Sequence, residues 1–185
     1  MDKHSFVEKL EYSMGDSITN DIRRIKEAID RCIKVEKTNA EMDKTGVDYI
    51  ATLKSGVTIK IDAKTREAHS SRYWKNGEPE LAIETWSVYD TKIGWTGNSS
   101  SPVEYILYTF DPSDTDKYYL IPFQLLRTAA RRNYQSWKDK YGEKSQYSYG
   151  SNGIKWQSKC IFVPASVVIE ALVQVMVLQD EIEIA

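Results

Sequence analysis

The sequence predicts an α+β fold: a single domain with a mixed central sheet flanked by helices. Three patterns carry that expectation. Apolar residues recur at helical spacing over residues 17–35 and again over 122–141. Between these segments lie short runs in which apolar and polar residues alternate, as on half-buried strands. A mostly apolar stretch over residues 166–178 reads as a final helix. With 185 residues, the chain is long enough to bury a substantial core.

Each element has its own chemical reason. The first helix, residues 17–35, sets Ile18, Ile22, Ile25, Ile29, Cys32 and Ile33 on one face, with Asp16 or Ser17 as its cap. Strands over 47–53 and 57–64 follow, joined by a tight turn at Lys54-Ser55-Gly56. Along the second, Val57, Ile59, Ile61 and Ala63 face one way, and Thr58, Lys60, Asp62 and Lys64 the other. Residues 66–80 read as a polar loop, 81–88 as a strand, and 91–101 as a second loop rich in Gly and Ser. Residues 103–110 and 117–121 form an expected antiparallel hairpin. Pro122 suits the first position of the next helix, on which Phe123, Leu126, Ala130, Tyr134, Trp137 and Tyr141 share a face. Residues 142–158 read as loop and 160–163 as a short strand.

Composition narrows the class. Lys and Arg number 25 against 27 Asp and Glu, so any contact with nucleic acid must use a local basic patch. The two cysteines, Cys32 and Cys160, sit in no metal-binding spacing, which argues against a disulfide framework and for a reducing cytoplasm. The opening MDKHSFVEKLEYS lacks the apolar core of a signal peptide. The longest apolar run is too short to span a bilayer, so no membrane association is expected.

The chemistry concentrates in two strings, Gly46-Val47-Asp48 and Asp62-Ala63-Lys64. Asp62 and Lys64 are two apart on a strand, so they project from one face. A short hairpin pairs the start of its first strand with the end of its second. That pairing sets Asp48 beside Asp62 although they are far apart in sequence. Two carboxylates and an ammonium meet the needs of phosphodiester hydrolysis: hard oxygen ligands for Mg²⁺, and a cationic donor for water or phosphate. The plainer alternative is a solvated strand face, since Asp and Lys are common there.

This arrangement resembles the PD-(D/E)XK nuclease superfamily. Asp48 matches the first acid, Asp62-Ala63-Lys64 matches the (D/E)XK element, and an amphipathic helix precedes both. The order is similar to that of compact Holliday-junction resolvases. The strings IDAKTR, LAIETWS and LIPFQLLR look like a phage- or prophage-encoded branch. Val47 stands where the motif has Pro. The resemblance implies a restriction-endonuclease-like αβββαβ core, an Mg²⁺ or Mn²⁺ cofactor held by Asp48, Asp62 and the Ala63 carbonyl, and DNA as substrate.

Further candidates stand beside simpler alternatives. Glu84, on an otherwise half-buried strand, would be a third catalytic acid supporting Lys64, or would face solvent. Glu8 and Glu11 are upstream acids of the kind some superfamily members recruit, or exposed terminal carboxylates. His69, Arg72, Tyr73, Trp74 and Lys75, with Lys92 and Trp95, combine cations for phosphates with rings for bases. Trp95 would equally serve as a core plug beside Gly94. Arg127, Arg131 and Lys138, with Arg132 nearby, form a helix ridge suited to a duplex backbone, or an ordinary solvated face. Tyr147 and Tyr149 would stack on bases or join a subunit interface.

The leading expectation is a metal-dependent deoxyribonuclease; RNA is a lesser alternative substrate. Two cuts in a duplex need two sites, so a homodimer is among the expectations. The competing expectation is a non-catalytic protein on the same fold, regulating or inhibiting a defence or DNA-processing system through a protein partner.

Overall fold

The structure, a computed structural model, describes residues 16–66, 74–75, 78–110, 117–149 and 155–183. In chain order it contains α1 (Asp16–Ala28), β1 (Cys32–Lys37), α2 (Ala40–Asp43), β2 (Tyr49–Leu53), β3 (Thr58–Arg66), β4 (Trp74–Lys75) and β5 (Glu78–Val88). There follow β6 (Lys92–Ile93), β7 (Tyr105–Phe110), β8 (Tyr118–Pro122), α3 (Phe123–Tyr141), β9 (Glu143–Tyr149), β10 (Lys155–Pro164) and α4 (Ala165–Glu183). The fold is α+β and includes a mixed sheet. The described residues divide into two compact units: those within 16–66 and 101–122 form the first, and those within 74–100, 123–149 and 155–183 form the second.

In the first unit the strands run β1-β2-β3-β7-β8, antiparallel except for the parallel pair β3 and β7. Its core joins Ile25 of α1 to Val35, Tyr49, Ala51, Ile61 and Leu107 of the sheet, with Ile18, Ile22 and Ile29 packed against it. The helix is shorter than its apolar period predicts. It ends at Ala28, Arg31 takes a left-handed φ of 58°, and Cys32 and Ile33 belong to a strand. The reason is tertiary: Lys34, Val35, Glu36 and Lys37 pair with β2, and the sheet ladder outcompetes another helical turn. The expected β2–β3 hairpin is present. Gly56, at φ 85°, makes the turn, and Leu53 N–H donates to the Val57 carbonyl at 2.8 Å.

In the second unit β5 pairs with β10, which pairs with β9, while the short β4 and β6 lie along β5. Helices α3 and α4 pack on each other and on this sheet. Val168, Ala171 and Val175 give α4 its buried stripe. Gly94 donates its N–H to the Thr85 carbonyl, and a Cβ there would run into the backbone of Glu84 and Thr85. Only glycine lets that loop lie so close to β5.

The expected loop over 142–158 contains the β9–β10 hairpin instead. Gly142, at φ 74°, ends α3, and the polar Lys, Ser, Gln and Tyr side chains of β9 hide a strand whose pairing is made by backbone. Pro122 closes β8 rather than opening α3. Among the described residues, no helix is long and apolar enough to cross a membrane.

Candidate metal centre

Register builds this site. Tyr49 pairs with Ile61 and Ile50 with Lys60, so the residue before Tyr49 falls opposite Asp62. Asp48 N–H donates to the Ile61 carbonyl at 2.9 Å, and Ala63 N–H donates to Asp48 Oδ2 at 2.8 Å. Thr38 fixes the other side, its N–H donating to the Asp48 carbonyl and its hydroxyl to the Val47 carbonyl. Asp48 therefore has little freedom. Asp62 lies beside Ile106 and Lys64 beside Tyr108 across the parallel ladder, both neighbours being fully buried. Lys64 Nζ donates to Asp62 Oδ1 at 2.7 Å.

Two residues absent from the sequence reading complete the cluster. Lys37, at the end of β1, donates from Nζ to Asp48 Oδ1 at 2.7 Å, and its ammonium lies 5.0 Å from the Tyr49 ring centroid. Asp43, in α2, lies near enough for its carboxyl to interact electrostatically with Asp48. The helical reading of residues 32–35 concealed Lys37. For Asp43, the signal available was Asn39, whose side chain accepts from Met42 N–H and caps one turn just ahead of Gly46 and Asp48.

The acids differ sharply in charge state. The Asp62 carboxyl is pushed up to about 7, chiefly by burial; Lys64 opposes the shift, and hydrogen bonding to Asp48 adds to it. Burial also works to raise Asp48, but hydrogen bonds from Lys37, the Ala63 amide and Asp62 outweigh it and hold that carboxyl below its usual range. Asp43 is raised by burial and by Asp48, against Lys37 and Lys64. Of the two carboxyls, Asp62 therefore holds its proton more readily than Asp48. A buried acid pair that retains a proton has oxygen donors and negative charge to offer a hard cation.

Among the described residues no group of three or more His, Cys, Asp or Glu side chains forms a ready cage for a metal. Mg²⁺ does not need one. It commonly takes one or two carboxylates and keeps several waters, so an all-oxygen pair such as Asp48 and Asp62 fits it and fits Zn²⁺ poorly.

Beneath the cluster, the Tyr49 hydroxyl donates to Asp21 Oδ2 at 3.1 Å, and Asp21 pairs with the fully buried Arg24 at 3.5 Å. Burial raises Asp21, against Tyr49 and Arg24.

The remaining expected residues have surroundings of their own. Glu84 belongs to the second unit, where its carboxylate accepts from Ser87 Oγ at 2.5 Å and the Trp95 N–H at 3.4 Å. Trp95 packs on Phe123, ring centroids 6.0 Å apart, as a core plug does. Arg127 is a correction. It is buried, donates to Gln124 Oε1 at 3.1 Å and stacks over Phe123, so it offers no exposed ridge. Four residues after Phe123, it sits about 40° round the helix from that apolar position, and its stem follows the core.

Arg131 is exposed at an apolar groove of about 300 Å³ bordered by Ile83, Trp86, Tyr134 and Trp137. Lys92 is exposed on β6, and Tyr147 on β9. Glu8, Glu11, His69, Arg72 and Tyr73 lie outside the described residues, as do the side chains of Trp74, Lys75 and Tyr149. No protein-family model, curated protein or solved structure matches the chain.

Proposed function

We propose that the protein is a metal-dependent nuclease of the PD-(D/E)XK type that hydrolyses DNA phosphodiester bonds, in a phage-associated setting. The observation that supports this most is the hairpin register that sets Asp48 against Asp62-Ala63-Lys64. A bound Mg²⁺ or Mn²⁺ supplies a lowered water pKa and neutralises phosphate charge. Asp48 and Asp62 would hold the ion, with the Ala63 carbonyl as a further oxygen donor. Lys64, tethered to Asp62, orients water and donates to a phosphate oxygen where negative charge develops. The β1-β2-β3 meander with parallel β7 supports a nuclease-like core. Between β3 and β7, however, the described residues form strands β4 to β6 rather than the helix of an αβββαβ order.

The test is cleavage of duplex, single-stranded and branched DNA with Mg²⁺ or Mn²⁺, beside matched RNA. Asp62→Ala and Lys64→Ala are each expected to lower cleavage by about 10²–10⁴-fold, the usual worth of a positioned acid–base group, with circular dichroism unchanged. No cleavage of any substrate by the wild type, together with no metal binding, removes this reading.

One observation favours a second reading, a non-catalytic regulator or inhibitor with a protein partner. Helix α4 exposes Ile169, Val173, Met176, Val177 and Leu178, an apolar run of the kind that interfaces use. A catalytically silent wild type that still binds a partner through α4 would establish it.

A further inference from the structure

Resting on the metal-centre reading, we propose that Lys37 is a built-in counter-cation for Asp48 that a divalent ion must displace, so that it sets the metal affinity of the site. The two Asp48 oxygens have partners of different kinds. Oδ2 accepts from the Ala63 amide, which belongs to the strand and cannot move without breaking the hairpin. Oδ1 accepts from Lys37 Nζ at 2.7 Å, and that ammonium sits on a flexible four-carbon stem. A cation ligated by Asp48 therefore meets one fixed partner and one movable one. An ammonium and a divalent ion repel each other at the same oxygen, so the movable one yields.

The pairing of Lys37 with Asp48 follows from the fold. Lys37 lies opposite Tyr49 in the β1–β2 register, and Thr38 bonds to the Val47 and Asp48 backbone. These contacts hold the base of the Lys37 side chain within reach of one acid. The Tyr49 ring, 5.0 Å from Nζ, gives the ammonium a second resting place once Asp48 is taken. The Tyr49 hydroxyl is bonded to Asp21, so the ring cannot swing away. Lys37 is a positioning residue in this scheme.

Manganese binding to the full chain tests the proposal, read from the loss of the free Mn²⁺ paramagnetic resonance signal. Lys37→Met keeps the stem and removes the ammonium; Lys37→Gln serves as a second neutral variant should the first fold poorly. Lys34→Met is the control, since Lys34 lies on the same strand, is exposed, and pairs with Glu36. It removes an equal charge without touching Asp48. The expected result is Mn²⁺ affinity about tenfold tighter for the Lys37 variants, the size of a partly buried ion pair, and unchanged for Lys34→Met. Equal affinity in all proteins, or the same tightening in the control, overturns the displacement role while leaving the metal centre standing. No Mn²⁺ binding by wild type or variants overturns both.

Discussion

Asp62 carries the clearest consequence at the scale of single residues. Its carboxyl would ionise near 3.8 in an unfolded chain and near 7 when folded. Between those values the folded state holds more protons than the unfolded state. The stability associated with that proton is therefore complete below about pH 4 and is lost as pH rises toward 7. The steepest expected slope is about 1.4 kcal/mol per pH unit. Asp43 and Asp21, both raised, act in the same direction, and Asp48, lowered, acts in the opposite one. Comparison with Asp62→Asn in EDTA removes that titrating carboxyl. Urea denaturation from pH 4 to pH 8 should show a shallower decline for the variant, and identical curves would contradict a buried, protonated Asp62. Arg24 shows a cost at the same scale: its Nε and Nη2 lack hydrogen-bond partners among the described residues, and Asp21 compensates in part.

At the scale of elements, backbone geometry decides which side chains meet. The β2–β3 hairpin brings Asp48 to Asp62 because a two-residue periodicity and one tight turn leave a single register that keeps Tyr49, Ala51 and Ile61 inside. A slip of one residue would turn the core outward. In the second unit, Gly94 plays the corresponding part for the loop over β5. Gly94→Ala must push a methyl group into the Glu84–Thr85 backbone, which has no rotamer to give way. A loss of about 1–3 kcal/mol is expected, the range of overpacked sites. Denaturation followed by tryptophan fluorescence measures it, and a change under 0.5 kcal/mol would show that the loop can lift.

A metal centre of the kind proposed would report itself through the stability of the whole molecule. An ion that binds only the folded chain stabilises it by mass action, about 2.7 kcal/mol at one hundred times its Kd. Mn²⁺ is therefore expected to raise the Tm of the wild type, and Asp48→Asn to abolish that rise while keeping the hairpin amide bond at Oδ. A Tm that ignores Mn²⁺ in both proteins would count against the metal centre independently of any substrate. The lack of a strong global charge leaves any nucleic-acid contact to local surfaces. Burial of Arg127 removes one of them, while Arg131 and Lys92 remain exposed.

The α+β class, the β2–β3 hairpin and the partnership of Asp48 with Asp62 and Lys64 were legible in the sequence, because strand periodicity and a glycine turn are local signals. Tertiary structure alone decided the rest. It ended α1 early and made residues 32–37 a strand, since the edge of a sheet can claim a segment whose own pattern allows a helix. That strand carries Lys37 to Asp48. It turned the polar stretch after Gly142 into paired backbone and drew Arg127 into the core. Periodicity reports which face of a segment is apolar; which partner covers that face, and which charges are thereby buried together, depends on contacts between distant parts of the chain.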